Sequence, residues 1–289
     1  PSAFIELLPK ILGDLNKSTY FKGKEKENLS VLLNEILVIF IDKEDVNSQK
    51  LISKIADIRI AWGGKEAIDS IIGLPKKINC RDIIFGPKVS LALATKESLK
   101  TKDDLKRLGK SISDDIFTFD QAGCNSPHNL IIESGSSFNL EHVAEEISSS
   151  FKLKAKSNPM IISPIDKYNL LSKSFIYQSN EKRNLISDNN QWNIFINKET
   201  NIPTIEEPLY CRSIFLSEIQ SIADLGIKLP QNTQSIGLFT SETRKLEIIQ
   251  LLSEYHVDRF PNVGKMSLFQ HPWDGYMPLQ HMVKWISTN

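Results

Sequence analysis

Asp120-Gln121-Ala122-Gly123-Cys124-Asn125-Ser126-Pro127 stands between two apolar runs, Ile116 to Phe119 and Leu130 to Ile132. Both runs suit buried strands, and the Gly, Asn, Ser and Pro between them suit a tight turn. A cysteine on such a turn is held rigidly and left reachable. Thiolate chemistry needs that setting, because a thiol buried in apolar surroundings is inert whereas a held, partly exposed one attacks. The competing reading is that Cys124 is a small apolar residue at a strand end, since most buried cysteines only pack. The sequence on either side of the turn decides between them.

Upstream, strand and helix patterns alternate. Ile5, Leu8, Ile11, Leu12 and Leu15 recur at helical spacing, and Ser18 to Phe21 reads as a short strand followed by Lys22-Gly23-Lys24-Glu25-Lys26. Leu29 to Leu33 is helical, Ile36 to Ile41 a strand and Ser48 to Ile55 helical again. Asp57 to Trp62 is a strand running into Gly63-Gly64, Glu66 to Ile72 resumes a helix, and Arg81 to Phe85 is a further strand. This alternation predicts an α/β fold with a parallel sheet covered by helices. Ligands of such sheets sit beyond the carboxyl ends of the strands, where the Lys22–Lys26 and Gly63-Gly64 loops fall. A glycine pair opening a helix offers bare N–H groups to a phosphate, although it lacks the full GxGxxG spacing and a plain turn explains it equally. The lysine cluster is equally a solvated surface.

Downstream, Leu99 to Leu108 is charged and helical, and Leu140 to Phe151 forms another helix. Lys152 to Asn201 is rich in Ser, Asn and Lys with short apolar runs at Ser174–Tyr177 and Trp192–Ile196, a pattern of meandering β-structure with long loops. Cys211 to Leu216 and Ser235 to Phe239 read as strands, and Glu218 to Leu225 and Arg244 to Tyr255 as helices. The tail carries His271-Pro272-Trp273-Asp274-Gly275-Tyr276.

A chain of 289 residues buries a large core and suits two domains. Its 35 basic and 35 acidic residues balance, so no net field draws it to nucleic acid or an anionic membrane. No run approaches the roughly eighteen apolar residues of a membrane span. Three cysteines, Cys80, Cys124 and Cys211, make neither a disulfide framework nor a metal cluster. They fit a reducing cytoplasm, with Cys80 and Cys211 structural and Cys124 reactive in a cleft between the domains. The N-terminus, Pro1-Ser2-Ala3-Phe4, has neither an initiator methionine nor the pattern of a signal peptide, and reads as the middle of a longer protein.

Taken in order, these stretches resemble the acyl-CoA reductases of the kind found in bacterial luciferase operons (LuxC-type), within the aldehyde dehydrogenase superfamily. Asp120–Pro127 is similar to the family's nucleophile segment, with Cys124 at the acylated cysteine. Asp57-Ile58-Arg59-Ile60-Ala61-Trp62-Gly63-Gly64 looks like its cofactor phosphate turn. Phe85-Gly86-Pro87-Lys88 is similar to the Gly-Gly-Lys that closes the superfamily's cofactor domain, and Asp274-Gly275-Tyr276 with Leu279 and Val283 resembles the carboxyl-terminal segment. The resemblance implies an aldehyde dehydrogenase-like fold lacking its N-terminal part. A nicotinamide-binding domain would span residues 1–105, a catalytic domain 106–270 and a returning segment 271–289.

It further implies that Cys124 attacks an acyl-CoA thioester, or an acyl group handed over by a synthetase, and that hydride from NADPH releases an aldehyde. The backbone N–H of Cys124 would support the oxyanion, and local dipoles would lower the thiol's pKa. His128 either assists the departing CoA or is a polar strand residue facing out. Lys22 resembles the superfamily lysine that meets the adenosine ribose, and Lys24 suits a 2′-phosphate. Glu25 instead favours NADH, so both cofactors stay open, with NADPH preferred. Ile84 stands where hydrolytic aldehyde dehydrogenases carry a general-base glutamate, which argues against hydrolysis. The superfamily's oxyanion asparagine would lie just upstream of Pro1. A catalytically incompetent remnant that binds nucleotide or a partner is therefore the alternative, and a homo-oligomer is compatible with either.

Overall fold

The computed structural model describes residues 35–179, 183–188, 191–198 and 205–288, together with Lys10, Gly13, Asp14 and Lys17. The expected helix over Ile5–Leu15, the strand Ser18–Phe21, the helix Leu29–Leu33 and the residues Lys22, Lys24 and Glu25 lie outside the described residues, apart from Lys10, Gly13 and Asp14. The chain divides into two compact units, one of residues 1–59 and 69–82, the other of 60–68 and 83–289.

In the first unit, Asp45 caps helix α1 (Val46–Ile55) by accepting from the Ser48 N–H at 3.1 Å. Arg59 ties the neighbouring segments together. Its guanidinium donates twice to Asp82, at 2.6 and 2.8 Å, and to the Ile71 carbonyl at 2.9 Å. That fork holds the Asp82 carboxyl down at about 2, and so keeps a largely buried pair ionised. Strand β1 (Ile58–Trp62) pairs with β2 (Arg81–Phe85), and α2 (Lys65–Ile72) lies between them in the chain; of these elements, residues 60–62, 65–68 and 83–85 belong to the second unit. Ile36–Ile41, expected as a strand, forms none among the described residues, and Leu37 and Phe40 are 82% and 81% exposed. An apolar run becomes a strand only where a neighbouring strand supplies a ladder.

The second unit is built on a six-stranded sheet of order β5-β6-β7-β4-β3-β8. Its elements are β3 (Val89–Ala94), α3 (Lys102–Phe117), β4 (Pro127–Glu133), α4 (Leu140–Ser157), α5 (Pro164–Gln178), β5 (Arg183–Ser187), β6 (Asn193–Asn197), β7 (Ser213–Ile219), α6 (Ile222–Gly226), β8 (Thr233–Phe239) and α7 (Glu242–Leu252). All neighbours run parallel except β5, which pairs antiparallel with β6 at an edge. Side chains alternate across the sheet. Ala92 and Ala94 face Leu108, Ile112 and Ile147 of α3 and α4, while Leu91 and Leu93 join Ile248 and Leu252 of α7. Strands covered on both faces read as continuous apolar runs, which is the pattern of β4 and β6.

Several expected elements shift. Ile116–Phe119 is not a strand: Ile116 and Phe117 end α3, and Phe119 turns left-handed. Lys152–Asn201 is helical over much of its length, since α4 continues to Ser157 and α5 takes Ser174–Tyr177. Glu218 and Ile219 belong to β7, and Cys211 sits in the turn before that strand rather than opening it. Val89–Ala94, unassigned from sequence although within 1–105, is a central strand.

The register of β3 slips on both sides at its amino end. Val89 pairs with Thr233 but Ser90 with Ser235, which leaves Gln234 extra on β8. Ser90 also pairs with Pro127 but Leu91 with Asn129, which leaves His128 extra on β4. Bulges of this kind bend a strand and re-aim a side chain.

Candidate active site

Cys124 lies between the end of α3 and the start of β4, so a helix rather than a strand delivers it. Phe119, Asp120 and Gln121 all take positive φ, at 54°, 51° and 66°. Facing them, Tyr210, Cys211 and Arg212 do the same, at 57°, 52° and 54°. Each such residue costs about 1–2 kcal/mol, so the two turns persist only because other contacts hold them. Gln121, fully buried, supplies several: it donates to the carbonyls of Pro127 (2.8 Å) and Ser213 (2.7 Å) and accepts from the Ser213 N–H (2.8 Å). Arg212, also fully buried, pairs with Asp120, donates to the Asn158 carbonyl at 2.8 Å and lies 4.2 Å from the Phe117 ring centroid.

The cysteine itself is fixed from both sides. Ser90 donates to the Cys124 carbonyl at 2.7 Å, and Asn125 donates through Nδ2 to the Met266 carbonyl at 3.1 Å. Met266 is held in turn by Asp115, which accepts the N–H groups of Met266 (2.9 Å) and Gly264 (2.5 Å).

Cys124 opens onto a cavity of about 420 Å³ that Gly63, Gly64, Trp62, Lys88, His128 and Tyr210 also line. All of these residues belong to the second unit. Of the residues singled out from sequence, Cys124, Gly63 and Gly64 thus share one cavity. Cys80 and Cys211 are absent from its wall, and so is Ile84, which is partly buried in β2. Gly63, at φ 154°, donates to the Phe85 carbonyl at 3.3 Å, and a Cβ there would meet Ala67 at 3.3 Å. A Cβ at Gly64 would enter open space. Trp62 stacks on Phe85 with centroids 4.0 Å apart.

The electrostatics correct one expectation. The Cys124 thiol is pushed up, not down: burial is the main cause, and the charge of Asp274 adds to it. The Gln234 amide and the N–H groups of Cys124 and Asn125 act the other way without prevailing. His128, expected either as an outward strand residue or as a participant, is buried. That burial lowers its pKa to about 4, so the imidazole is neutral. Its Nδ1 has no hydrogen-bond partner among the described residues, and Tyr210 meets the ring edge-on at 5.0 Å. Asp274 is itself raised by burial. Lys88 pairs with Asp258 beside it, and Arg259 lies 4.2 Å from the Trp273 ring centroid. Gln234, Ser90, Gln121 and Arg212 carry no sequence signal beyond being polar residues next to apolar runs. Asp274 stands out in the sequence only as part of the carboxyl-terminal segment, with nothing there to tie it to the cysteine.

A family model described as acyl-CoA reductase (LuxC) matches residues 8–285. Curated relatives include the long-chain acyl-protein thioester reductases of Aliivibrio fischeri, 25% identical over 252 residues, and Photorhabdus luminescens, 26% identical over 251. Each alignment covers 84% of this chain and 49% of the relative, so the chain spans about half the length of the curated relatives it matches. Among solved structures, AldH of Staphylococcus aureus matches with a TM-score of 0.56 at 14% identity, over 78% of this chain and 52% of that one. Gamma-glutamyl-gamma-aminobutyraldehyde dehydrogenase from Burkholderia cenocepacia matches with a TM-score of 0.55 at 12% identity, over 74% and 47%. At such identities the likeness speaks for the fold alone, an aldehyde dehydrogenase-like α/β architecture. With the family model matching nearly end to end, the chain belongs to the acyl-CoA reductase (LuxC) family.

Proposed function

We propose that this chain carries the acyl-transfer centre of a reductase that takes an acyl group from a thioester to an aldehyde. The observation that carries the reading is Cys124, on a turn pinned by Ser90, Gln121 and Asn125, opening onto a cavity it shares with the Gly63-Gly64 turn. The relatives' names speak of acyl-protein thioesters, which favours a protein-bound acyl donor, with acyl-CoA as the second candidate.

In this reading the Cys124 sulfur adds to the thioester carbonyl as its proton leaves. His128, neutral and with Nδ1 unpartnered among the described residues, lines the same wall and would take that proton through the nitrogen that carries no hydrogen. The tetrahedral oxyanion is met by the Cys124 N–H. The carbon–sulfur bond to the donor then breaks, and the proton on His128 passes to the leaving thiolate. Cys124 is left as an S-acyl cysteine. A reduced nicotinamide, when bound, supplies the hydride that completes the reduction. The residues present suit such a group: Gly63-Gly64 opens α2 with bare backbone, a Cβ at Gly64 would project into open space, and the exposed Trp62 ring stands beside it. Lys22 and Lys24 favour NADPH by charge, and Glu25 is the residue that would favour NADH. Ile84 leaves no carboxylate to activate water, so the acyl group is kept for reduction.

The test is acyl labelling. The chain and its Cys124→Ser variant are incubated with radiolabelled long-chain acyl-CoA and, separately, with an acyl-protein thioester, then denatured and counted. Label retained by the unmutated chain and absent from the variant supports the reading. No label from either donor would turn the assignment toward a nucleotide- or partner-binding remnant.

A further inference from the structure

Tyr210, Cys211 and Arg212 are three consecutive left-handed residues, none of them glycine, directly before β7. The facing turn holds them in place. Gln121 grips the N–H and the carbonyl of Ser213, and Arg212 is buried against Asp120 and the Phe117 ring. Backbone strain of this kind persists where it aims a side chain for use. Of the three side chains, Tyr210 is the one that reaches the wall of the Cys124 cavity. Packing does not account for it, because Tyr210 is 47% exposed and a glycine would hold its φ of 57° at less cost. Its ring meets the His128 ring edge-on, with centroids 5.0 Å apart, and so is steadied on the same wall.

The rest of the wall decides what that ring meets. Glycines and Ala122 leave much of it without bulk. Lys88, the one charged side chain on it among the described residues, is paired with Asp258. The broad apolar surfaces left open are Tyr210 and Trp62, 58% exposed, whereas Phe85 is buried and stacked against the Trp62 ring. Trp62 adjoins Gly63-Gly64, the turn that serves the nucleotide in the proposed function, which leaves Tyr210 for a group attached to Cys124. We propose that Tyr210 is a specificity-determining residue of this site, its ring forming the surface along which an apolar chain carried on the Cys124 sulfur lies. The proposal rests on Cys124 being the acylated nucleophile. A hydrocarbon chain laid on an aromatic ring leaves water without depriving any polar group of a partner, so the gain grows with each methylene covered. A short or polar acyl group gains little from the same wall, and the ring thereby reads chain length.

Strain and use make opposite demands at this position, and that separates the role from a structural one. Tyr210→Gly removes the ring and relaxes the turn, so its urea midpoint should equal or exceed that of the unmutated chain. The full chain is treated with iodoacetamide and, separately, with N-decyl iodoacetamide, each rate being scaled to that of a free thiol in solution. The modified Cys124 peptide is read by mass spectrometry, which sets aside Cys80 and Cys211. The unmutated chain is expected to favour the decyl probe. That preference should fall by about tenfold in Tyr210→Gly, roughly the worth of two methylenes returned to water, and be kept in Tyr210→Phe. An unchanged preference in Tyr210→Gly overturns the proposal, as does equal slowing of both probes or loss of the preference in Tyr210→Phe, which would assign the hydroxyl instead. A Tyr210→Gly chain that is much less stable or fails to fold overturns it as well, because the ring would then be packing. The probes bring their own electrophile, so the measurement does not depend on acyl transfer. A preference that depends on Tyr210, found without acyl labelling, would sink the proposed function and leave the ring as the surface for an apolar chain on that sulfur. Acyl labelling that proceeds while the preference ignores Tyr210 would do the reverse.

Discussion

His128 has two properties that seldom meet in a residue kept for packing: it is 2% exposed, and its Nδ1 is unsatisfied among the described residues. A buried unpaired nitrogen costs roughly 1–3 kcal/mol, a cost that an apolar residue of similar size would remove. Retention of imidazole beside Cys124 is accounted for if the free nitrogen handles the thiol proton during acyl transfer. His128→Gln fills similar space without a titrating nitrogen. We expect it to slow acyl labelling of Cys124 by about 10²-fold or more, with the alkylation midpoint of the free thiol little changed. Equal labelling rates in the variant and the unmutated chain would remove His128 from the mechanism and return it to the strand as a packed residue.

At the scale of elements, the nucleophile is delivered by two left-handed turns that face one another and are tied by side chains. Replacing Gln121 with Leu strips two buried carbonyls and one N–H of their partner at once. We expect a loss on the order of 3 kcal/mol or more in urea unfolding, together with faster alkylation of Cys124 as the turn loosens. A loss under about 1 kcal/mol would mean that the Arg212–Asp120 pair alone holds the turns. None of this was legible from sequence, because left-handed Phe, Asp and Gln carry no glycine signal and their partners lie 92 residues away. Ile116–Phe119 misled for a related reason: four apolar residues fit a strand as well as the last turn of a helix, and periodicity cannot separate them. Helix α5 was hidden differently. Leu171 and Phe175 are 56% and 74% exposed while Leu170 and Tyr177 are buried, so its apolar pattern has no clean face. By contrast β1, β2, β4 and α4 were readable, since the alternating burial of β1 and β2, the continuous burial of β4 and a long amphipathic helix leave strong local patterns. The same holds for the Cys124 and Gly63-Gly64 turns, where residue type itself carries the signal.

For the whole molecule, two buried groups make folding stability respond to pH in opposite directions. Burial raises Asp115 to about 6, so between pH 4 and 6 the folded chain holds a proton that the unfolded chain has released. Acidification through that window therefore stabilises the fold. His128 behaves in reverse: with a folded value of about 4, the folded chain stays unprotonated where the unfolded chain takes a proton below about 6.5. Its share of stability is present above that value and is lost as pH falls. Both side chains are 2% exposed, so solvent does little to screen either effect. Asp82 and Asp104, held at about 2, contribute their own loss only at lower pH, and Asp274, raised by burial, acts with the same sign as Asp115. In the unmutated chain the two slopes offset each other, and stability should be nearly flat from pH 7 to pH 5. Each single variant uncovers the other group. Asp115→Asn should lose on the order of 2 kcal/mol over those two pH units, and His128→Gln should gain on the order of 2 kcal/mol. Urea unfolding at pH 5 and pH 7 of the three proteins measures both slopes. Like-signed slopes in the two variants would refute the opposed pair. A flat profile in Asp115→Asn would mean that His128 is hydrated and titrates as in the unfolded chain, which would also withdraw it from the role of a neutral proton acceptor beside Cys124.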